Sequence, residues 1–185
     1  MIISIDDYHK DNIKLARMIK RYGFVKNTIF FIECGGWETQ KQIKELSKMG
    51  FEIGSHTLNH TFLTEVPEEE ALIEIEASKL TIESLTGREC EAFCYPRGRY
   101  NKRIIKMVKN AGYKWARTTK LDDRGQFERA GVHLSYPRKE YDGKDPFDVA
   151  RESKLGHYWG HVSELLKFNK MKEFEDFLRW LKKEK

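Results

Sequence analysis

The chain has 185 residues, 39% of them hydrophobic and 34% charged, and its net charge is +5. This composition is typical of one globular domain, which we place at residues 1–185, and no apolar run approaches the roughly 20 residues of a membrane-spanning helix. The charges are interleaved, and no nucleic-acid-binding motif accompanies the dense basic run at residues 182–185. We therefore predict no membrane segment and no nucleic-acid partner, and the oligomeric state stays open.

The N-terminus and the cysteines indicate a reducing compartment. Residues 1–7, MIISIDD, lack the basic region, apolar core and cleavage site of a signal peptide, which favours a cytoplasmic protein, although a chain trimmed of its leader would look the same. The three cysteines are Cys34, Cys90 and Cys94, and an odd number argues against a secreted disulfide framework. No second Cys or His pair completes a structural zinc site with Cys90 and Cys94, so we expect three reduced thiols.

Short β-rich runs alternate with amphipathic helical runs along the chain. The pattern predicts seven strands, at residues 1–6, 28–33, 51–57, 92–96, 113–119, 131–137 and 154–162. It predicts helices at residues 11–22, 39–50, 67–87, 101–112, 145–153 and 163–183. Thr39 is a predicted N-cap, and Gly23 and Gly50 are predicted to end the first two helices. Seven βα units predict a parallel sheet with helices outside, open or closed into a barrel.

Polar residues follow four of the predicted strands. They fall at the carboxyl ends of the strands, which is the edge where parallel α/β folds bind ligands. Each pattern alone has an ordinary structural explanation, such as a turn, a surface pair or a buried histidine. Four such groups at one edge of one sheet favour a functional site. In chain order the groups are Asp6 with Asp7, His56 with His60, the segment 96–98, and His157 with His161.

The first two groups suit a metal. One carboxylate and two imidazoles bind a borderline divalent cation and leave positions for water and substrate. In GSHTLNH, residues 54–60, His56 and His60 are four apart and would share one face of a helical turn, as in zinc proteases. A structural zinc site would need four protein ligands, so the missing fourth ligand favours catalysis.

The ordered motifs resemble those of the polysaccharide deacetylases, carbohydrate esterase family 4. Ser4-Ile5-Asp6-Asp7 resembles the first motif of that family, and His56-Thr57-Leu58-Asn59-His60 resembles the second. Residues 94–98, CYPRG, match the third motif in part, and His161 in HYWGHVSEL matches the histidine of the last. The resemblance extends over residues 1–182 and implies a distorted (β/α)7 barrel.

The resemblance also implies an activity and a role for each motif residue. Asp6 would be the general base, His161 the general acid, and the backbone N–H of Arg97 the oxyanion donor. The reaction would be metal-dependent removal of N-acetyl groups from an amino sugar or polysaccharide. The cofactor would be a divalent metal, zinc first and cobalt or another as alternatives. Its ligands would be Asp7, His56 and His60.

The sequence departs from the family at the third and fourth motifs. Cys94 stands where the family has an arginine that orients and tunes the base, and a thiol cannot supply that charge. Arg117, at the end of the fifth predicted strand, is the first candidate to replace it, and Arg97 is the second. The fourth motif, an aspartate with a nearby tryptophan, is not evident, although Asp122 and Asp123 follow the fifth predicted strand.

Other polar residues near the last two strands are candidates for supporting roles. His133 and Tyr136 are predicted to line the pocket. His157 is predicted to support His161 or to contact the substrate, because residues four apart on a strand share a face. Glu164 is a candidate acceptor for the second ring proton of His161.

Several functions remain open from the sequence. The leading hypothesis is an N-deacetylase of carbohydrates, and one alternative is a hydrolase of a small non-sugar amide or cyclic imide. A second alternative, motivated by Cys94, is an inactive sugar-binding homologue. Two histidines and a carboxylate also serve non-haem iron oxygenases, but Asp6 and the absence of a recognisable 2-oxoglutarate clamp argue against that class. The substrate and the native metal stay open.

Overall fold

The computed structural model describes residues 1–120, 127–135, 138–153 and 155–184. Several sequence predictions fall outside these ranges, namely Asp122, Asp123, Tyr136, Lys185 and the ends of two strands at 136–137 and 154. The described part contains eight β-strands: β1 (Ile2–Asp6), β2 (Thr28–Ile32), β3 (Glu52–Ser55), β4 (Ala92–Cys94), β5 (Trp115–Arg117), β6 (Glu128–Arg129), β7 (Val132–His133) and β8 (His157–His161).

Helices follow most of the strands. The same ranges contain seven α-helices: α1 (Asn12–Tyr22), α2 (Trp37–Lys48), α3 (Glu68–Thr86), α4 (Lys102–Asn110), α5 (Pro146–Glu152), α6 (Val162–Lys167) and α7 (Met171–Lys183). None of these helices is both long enough and apolar enough to cross a bilayer.

All eight strands belong to one parallel sheet, in the order β6-β5-β4-β3-β2-β1-β8-β7. The two edge strands, β6 and β7, are consecutive in the chain and only two residues apart. The extended segment 128–133 therefore begins against β5 and ends against β8, so the sheet curls round into a half-barrel. This is the distorted (β/α) barrel that the sequence predicts, and the predicted fold class is confirmed.

The strand count differs from the prediction of seven. The predicted strand at 131–137 begins at Glu128 and is interrupted at residues 130–131, where it passes from one strand partner to the other. The predicted helix at 163–183 is two helices, separated at Asn169, whose φ is 53°. Thr39 is not an N-cap, because α2 begins at Trp37 after Gly36. Gly23 and Gly50 follow their helices as predicted, with φ of 85° and 98°.

Alternate residues on each strand pack into two separate cores, as the two-residue period of a strand requires. The larger core lies between the sheet and the helices and includes Ile3, Ile5, Phe30 and Ile32. The smaller core lies inside the curl of the sheet and consists of Ile29, Phe31, Ala92, Cys94 and Trp115. Towards the carboxyl ends of the strands the inward positions become polar, and there the barrel opens into a pocket.

Candidate active site

A pocket of about 480 Å³ lies at the carboxyl ends of the strands. Segments from both ends of the chain meet there, as expected for the ligand-binding edge of a parallel α/β fold. The structure brings together all seven residues that the sequence predicts for the site. These are Asp6, Asp7, His56, His60, Arg97, Arg117 and His161.

The backbone after β1 directs two consecutive carboxylates into the pocket. Asp6 ends the strand and is 2% exposed, whereas Asp7 has a φ of 66°. In a regular strand the two side chains would point to opposite faces of the sheet. The left-handed conformation at Asp7 turns the chain so that both residues line the same cavity. Such a conformation costs on the order of 1–3 kcal/mol in a non-glycine residue and is typical of functional sites.

His56 and His60 reach Asp7 through an irregular loop, not through the predicted helical turn. Thr57 and His60 both have left-handed backbone conformations, with φ of 66° and 59°. The Nε2 atoms of His56 and His60 lie 3.3 and 3.5 Å from Asp7 Oδ1. His56 Nδ1 is 2.8 Å from the Cys94 carbonyl oxygen, so Nδ1 must be the donor in this bond. The Nε2 lone pair of His56 therefore remains available on the pocket side.

The electrostatics of this triad suit a cation. Burial alone would raise the pKa of Asp7, but the interaction with His56 and the charges of His161 and His60 hold it well below its usual 3.8. Burial and the neighbouring His56 lower the pKa of His60. Asp7 Oδ1 is buried and accepts no well-oriented hydrogen bond from the described residues. Metal binding requires deprotonated ligands, and the lowered pKa values of Asp7 and His60 favour that state, so the three residues fit a divalent metal.

Two other groups of potential ligands suit a metal less well. The first group consists of Asp6, His56 and Cys94. Its Asp6 is ion-paired with Arg117, and burial raises the pKa of the Cys94 thiol well above its usual 9.0. In the second, His133, His161 and Glu164 already bond to one another, and His133 is fully buried. The triad of Asp7, His56 and His60 borders the open part of the pocket, since the Asp7 side chain is 39% exposed.

Arg117 occupies the place next to Asp6. Its guanidinium is ion-paired with Asp6 Oδ2 and lies 2.7 Å from Cys94 Sγ. The same group stacks on the Trp159 ring at 4.1 Å, and the side chain is only 1% exposed. Burial and the charge of Arg138 lower the pKa of Arg117 to about 9, so the guanidinium stays charged at neutral pH. A buried positive charge therefore contacts the carboxylate that the sequence predicts to be the base.

His161 faces both aspartates and is held from behind by Glu164. His161 Nε2 lies 3.9 Å from Asp6 Oδ2 and 3.7 Å from Asp7 Oδ2. His161 Nδ1 lies 2.5 Å from Glu164 Oε2, and His133 Nε2 lies 3.0 Å from the same oxygen. Burial would raise the pKa of Glu164, but the bonds from His133 and His161 lower it to about 2. An ionised Glu164 accepts both N–H bonds and leaves His161 Nε2 free to exchange a proton in the pocket.

Arg97 lines the pocket but does not reach Asp6. It lies in the 3₁₀ turn Pro96–Gly98 with a φ of 52°, and its guanidinium lies 5.6 Å from the Phe62 ring. Across the described ranges no ion pair within 4.0 Å joins Arg97 to Asp6, whereas Arg117 makes that contact. Of the two candidates for the missing arginine, the structure places only Arg117 beside the carboxylate.

Two supporting predictions were wrong. His157 shares the inward face of β8 with His161, but it lies at the other end of the strand, is 4% exposed and bonds to Ser4 Oγ at 2.9 Å. It lines neither the pocket nor the His161 ring. His133 is buried behind Glu164 and does not line the pocket, because the interruption before β7 places it below the rim.

The buried position of His157 makes a pH-dependent contribution to stability. Burial, followed by the charge of Arg117, lowers the pKa of His157 from 6.5 to about 3. The unfolded state therefore binds more protons between these values, and stability falls as the pH drops from 6.5 towards 3. Between pH 7 and pH 4 the wild type should lose on the order of 3 kcal/mol more unfolding free energy than His157→Gln, which lacks the titrating imidazole. Urea unfolding at both pH values measures this, and equal losses in the variant and the wild type would contradict it.

A buried glutamate that no motif marks holds the histidine loop. Glu74, on α3, is 5% exposed. Its Oε2 accepts the backbone N–H groups of Leu58 and Asn59 at 2.9 Å each, and its Oε1 accepts the Asn59 side-chain amide at 2.8 Å. In the sequence the only signal is a carboxylate on the apolar face of a helix, between Ala71 and Ser78. The three bonds fix the segment that connects His56 to His60.

The sequence and the fold are similar to those of known proteins. The polysaccharide deacetylase family model matches residues 1–116, which is more than half of the chain and ends before Arg117 and His161. A curated protein of Bacillus subtilis (strain 168), YxkH, bears the name of polysaccharide deacetylase and is 32% identical over 144 residues. The match covers 73% of this chain and 51% of YxkH, so the chain spans about half the length of that relative.

Solved structures share the fold. The Streptococcus pyogenes deacetylase PplD, in complex with acetate, matches with a TM-score of 0.61 and 23% identity, over 70% of this chain and 62% of that one. The Xyl-CE4 domain of a multidomain xylanase from the hindgut metagenome of Trinervitermes trinervoides has a TM-score of 0.73 and 16% identity, over 99% of this chain and 82% of that one. The resemblance noted from the motifs is thereby confirmed, and the chain belongs to the polysaccharide deacetylase family.

Proposed function

We propose that the protein is a metal-dependent hydrolase that removes N-acetyl groups from an amino sugar or polysaccharide. The observation that carries the proposal is the convergence of three titratable side chains on one space. His161 Nε2 lies within 4 Å of both Asp6 Oδ2 and Asp7 Oδ2, although β1 and β8 come from opposite ends of the chain. Hydrolysis of an amide needs both a base and an acid, and binding alone needs neither.

We assign Asp7, His56 and His60 as the ligands of the metal, with zinc as the first choice and cobalt or another divalent ion as alternatives. When bound, the ion supplies Lewis-acid polarisation of an amide carbonyl and of a water molecule. The Cys94 carbonyl fixes the tautomer of His56 through Nδ1, which is how ligand histidines are usually oriented.

Asp6 is the proposed general base. Arg117 engages its Oδ2, and Oδ1 has no hydrogen-bond partner among the described residues. Oδ1 is therefore the oxygen that would take a proton from the attacking water. Arg117 supplies the positive charge that an arginine at residue 94 supplies elsewhere in the family, and it keeps Asp6 ionised and oriented.

His161 is the proposed general acid. Its Nε2 holds the proton that the departing amine needs, because an amine anion is a very poor leaving group. Glu164, bonded to Nδ1 at 2.5 Å, stabilises the imidazolium and fixes the ring. The backbone N–H of Arg97 is the proposed donor to the oxyanion, and loss of one such donor typically costs about 10²–10³ in rate.

Acetate release from a panel of substrates tests the proposal. The panel contains chitooligosaccharides, acetylated peptidoglycan fragments and a cyclic imide, each assayed before and after removal of metal with a chelator. We expect release from at least one sugar, loss of release with the chelator and recovery with zinc. Turnover of the imide alone would favour the small-amide alternative. Sugar binding without turnover by the zinc-loaded protein would favour the inactive homologue. The single-domain organisation and the cytoplasmic location stay predictions.

Loosening the histidine loop should weaken the metal site. Glu74→Gln replaces one acceptor oxygen by an NH₂ group, so the loop loses a hydrogen bond next to His60. We expect the dissociation constant for zinc to rise about 10- to 100-fold, as is typical when residues that orient ligands are changed. Competition with a zinc chelator measures it directly, without an activity assay.

Glu83→Gln is the matched control for Glu74→Gln. Glu83 lies on the same helix and also accepts a backbone N–H, that of Cys90 at 3.0 Å, but far from the histidine loop. Its substitution should leave zinc affinity within about twofold. Equal weakening by both variants would show that α3, and not the loop contact, determines the affinity.

A further inference from the structure

One wall of the pocket carries arginine side chains to which the proposed reaction gives no role. The side chains of Arg97, Arg99 and Arg138 line the cavity together with the catalytic candidates. We call these three residues the arginine wall. The residues come from the turn after β4 and from the segment after β7, so the wall is assembled from two separate parts of the chain.

The first part of the wall lies beside the metal triad. The guanidinium groups of Arg97 and Arg99 lie 5.6 and 5.1 Å from the centre of the Phe62 ring. The His60 ring lies 6.0 Å from the same Phe62 ring. One aromatic ring, Phe62, therefore lies close to both guanidinium groups and to His60, a proposed metal ligand. Arg97 is also close enough to lower the pKa of His60 by its charge.

The second part of the wall is continuous with the first through Thr119. Arg138 donates to the Thr119 carbonyl oxygen at 2.8 Å. The turn that carries Arg97 packs directly on Thr119, since a Cβ at Gly98 would collide with Thr119 Oγ1. The charge of Arg138 also reaches Arg117 at the floor of the pocket.

Among the described residues, only exposed carboxylates pair with the wall. Arg99 pairs with Glu65 and Arg138 with Glu140, but both carboxylates are at least half exposed, and such pairs contribute little. Within the described ranges no carboxylate lies within 4.0 Å of the Arg97 guanidinium. The carboxylates inside the pocket are already engaged by histidines or by Arg117. The described lining of the pocket carries four arginines against three carboxylates, so its field favours the approach of an anion.

We infer that the arginine wall selects substrates in which the N-acetylated sugar carries an anionic group, a carboxylate or a phosphate ester. The planar guanidinium group can donate two parallel hydrogen bonds to either a carboxylate or a phosphate. This inference rests on the proposed function and narrows its substrate class. The wall would bind the anionic group at the edge of the pocket and thereby position the acetamide next to Asp7, His56 and His60, the proposed metal ligands.

Acetate release from three small probes tests the inference. The probes are N-acetylglucosamine, which is neutral, N-acetylmuramic acid, which carries a carboxylate, and N-acetylglucosamine 6-phosphate. We expect kcat/KM for at least one anionic probe to exceed that of the neutral probe by about tenfold or more, since hydrogen bonds between charged groups are stronger than neutral ones. The probe that is preferred identifies the anion as carboxylate or phosphate.

Variants of the wall distinguish direct binding of the anion by these arginines from a general effect of the positive charge of the protein. Arg99→Gln and Arg138→Gln should each lower the ratio of anionic to neutral kcat/KM by about threefold to tenfold. Arg103→Gln is the control, because Arg103 bonds to the Leu63 carbonyl oxygen outside the pocket lining, and its ratio should not change. Equal turnover of all three probes, or an unchanged ratio in both wall variants, would overturn the inference and leave the deacetylase proposal standing.

Failure of the proposed function has a different signature. If the zinc-loaded protein releases acetate from none of the probes or polymers, calorimetric binding of the same three probes decides the inference. Tighter binding of an anionic probe, weakened in Arg99→Gln, would support the wall as an anion site. Equal or absent binding of all three would overturn it.

Discussion

Asp6→Asn is expected to lower kcat for acetate release by about 10²–10⁴-fold while leaving zinc affinity nearly unchanged. Asparagine has the shape of aspartate, and its side-chain oxygen can still accept the bond from Arg117, but it cannot take a proton from water. The proposed metal ligands do not include this side chain, because His56 and His60 approach Asp7 Oδ1. Steady-state acetate release and chelator competition for zinc measure the two quantities on the same preparation.

Asp7→Asn is the matched control, since it makes the same chemical change one residue later. There zinc affinity should fall strongly, and addition of zinc at high concentration should restore part of the activity. If Asp6→Asn loses zinc binding as well as activity, Asp6 belongs to the metal site. Activity retained within a few-fold in Asp6→Asn would remove the proposed base. The pair of variants thus separates the two neighbouring carboxylates by role.

The strand register explains why the departure at Cys94 leaves a positive charge in the site. Cys94 and Arg117 are directly opposite one another on β4 and β5. Both side chains point into the barrel. An arginine on β5 opposite residue 94 can therefore reach Asp6 just as an arginine at residue 94 of β4 would. The sequence places Arg117 at the end of a predicted strand, which is enough to make it a candidate. The register itself could not be predicted, because it depends on how whole strands pack on their neighbours.

The parts of the site that could be predicted are those encoded by local pattern. Asp6 and Asp7 end a buried strand, and His56 and His60 follow another, so the strand-end rule brings them together without any knowledge of loops. The helical geometry predicted for His56 and His60 was wrong because three hydrogen bonds to Glu74 hold the loop in another conformation. Spacing alone carries no information about such a distant partner.

The contacts that were not predicted join segments whose relative position depends on how the sheet curls into a half-barrel. Glu164 was a candidate partner of His161, but its second bond, to His133, exists only because segment 128–133 crosses from β5 to β8. Neither the interruption at residues 130–131 nor its consequence appears in the two-residue hydrophobic pattern that predicts a strand.

Arg117→Leu is expected to lower the free energy of unfolding by about 3–5 kcal/mol at pH 7, because it leaves Asp6 buried without its cationic partner. Asp6 is 2% exposed, so a carboxylate left there without its partner would be poorly solvated. Arg129→Leu is the control. Arg129 lies on the neighbouring strand with its guanidinium 4.5 Å from the Trp115 ring, and within the described ranges no carboxylate pairs with it, so its loss should cost about 1 kcal/mol. Urea unfolding followed by far-UV circular dichroism measures both.

The double variant Asp6→Asn/Arg117→Leu distinguishes a lost ion pair from simple loss of packing. If the cost of Arg117→Leu arises from an unpaired carboxylate, removing that charge as well should recover stability, and the double variant should be more stable than the sum of the single changes predicts. A coupling energy of about 2 kcal/mol or more is expected for two buried charges in direct contact. If the two changes are additive, the stacking of Arg117 on Trp159 at 4.1 Å, and not its charge, stabilises the floor of the pocket.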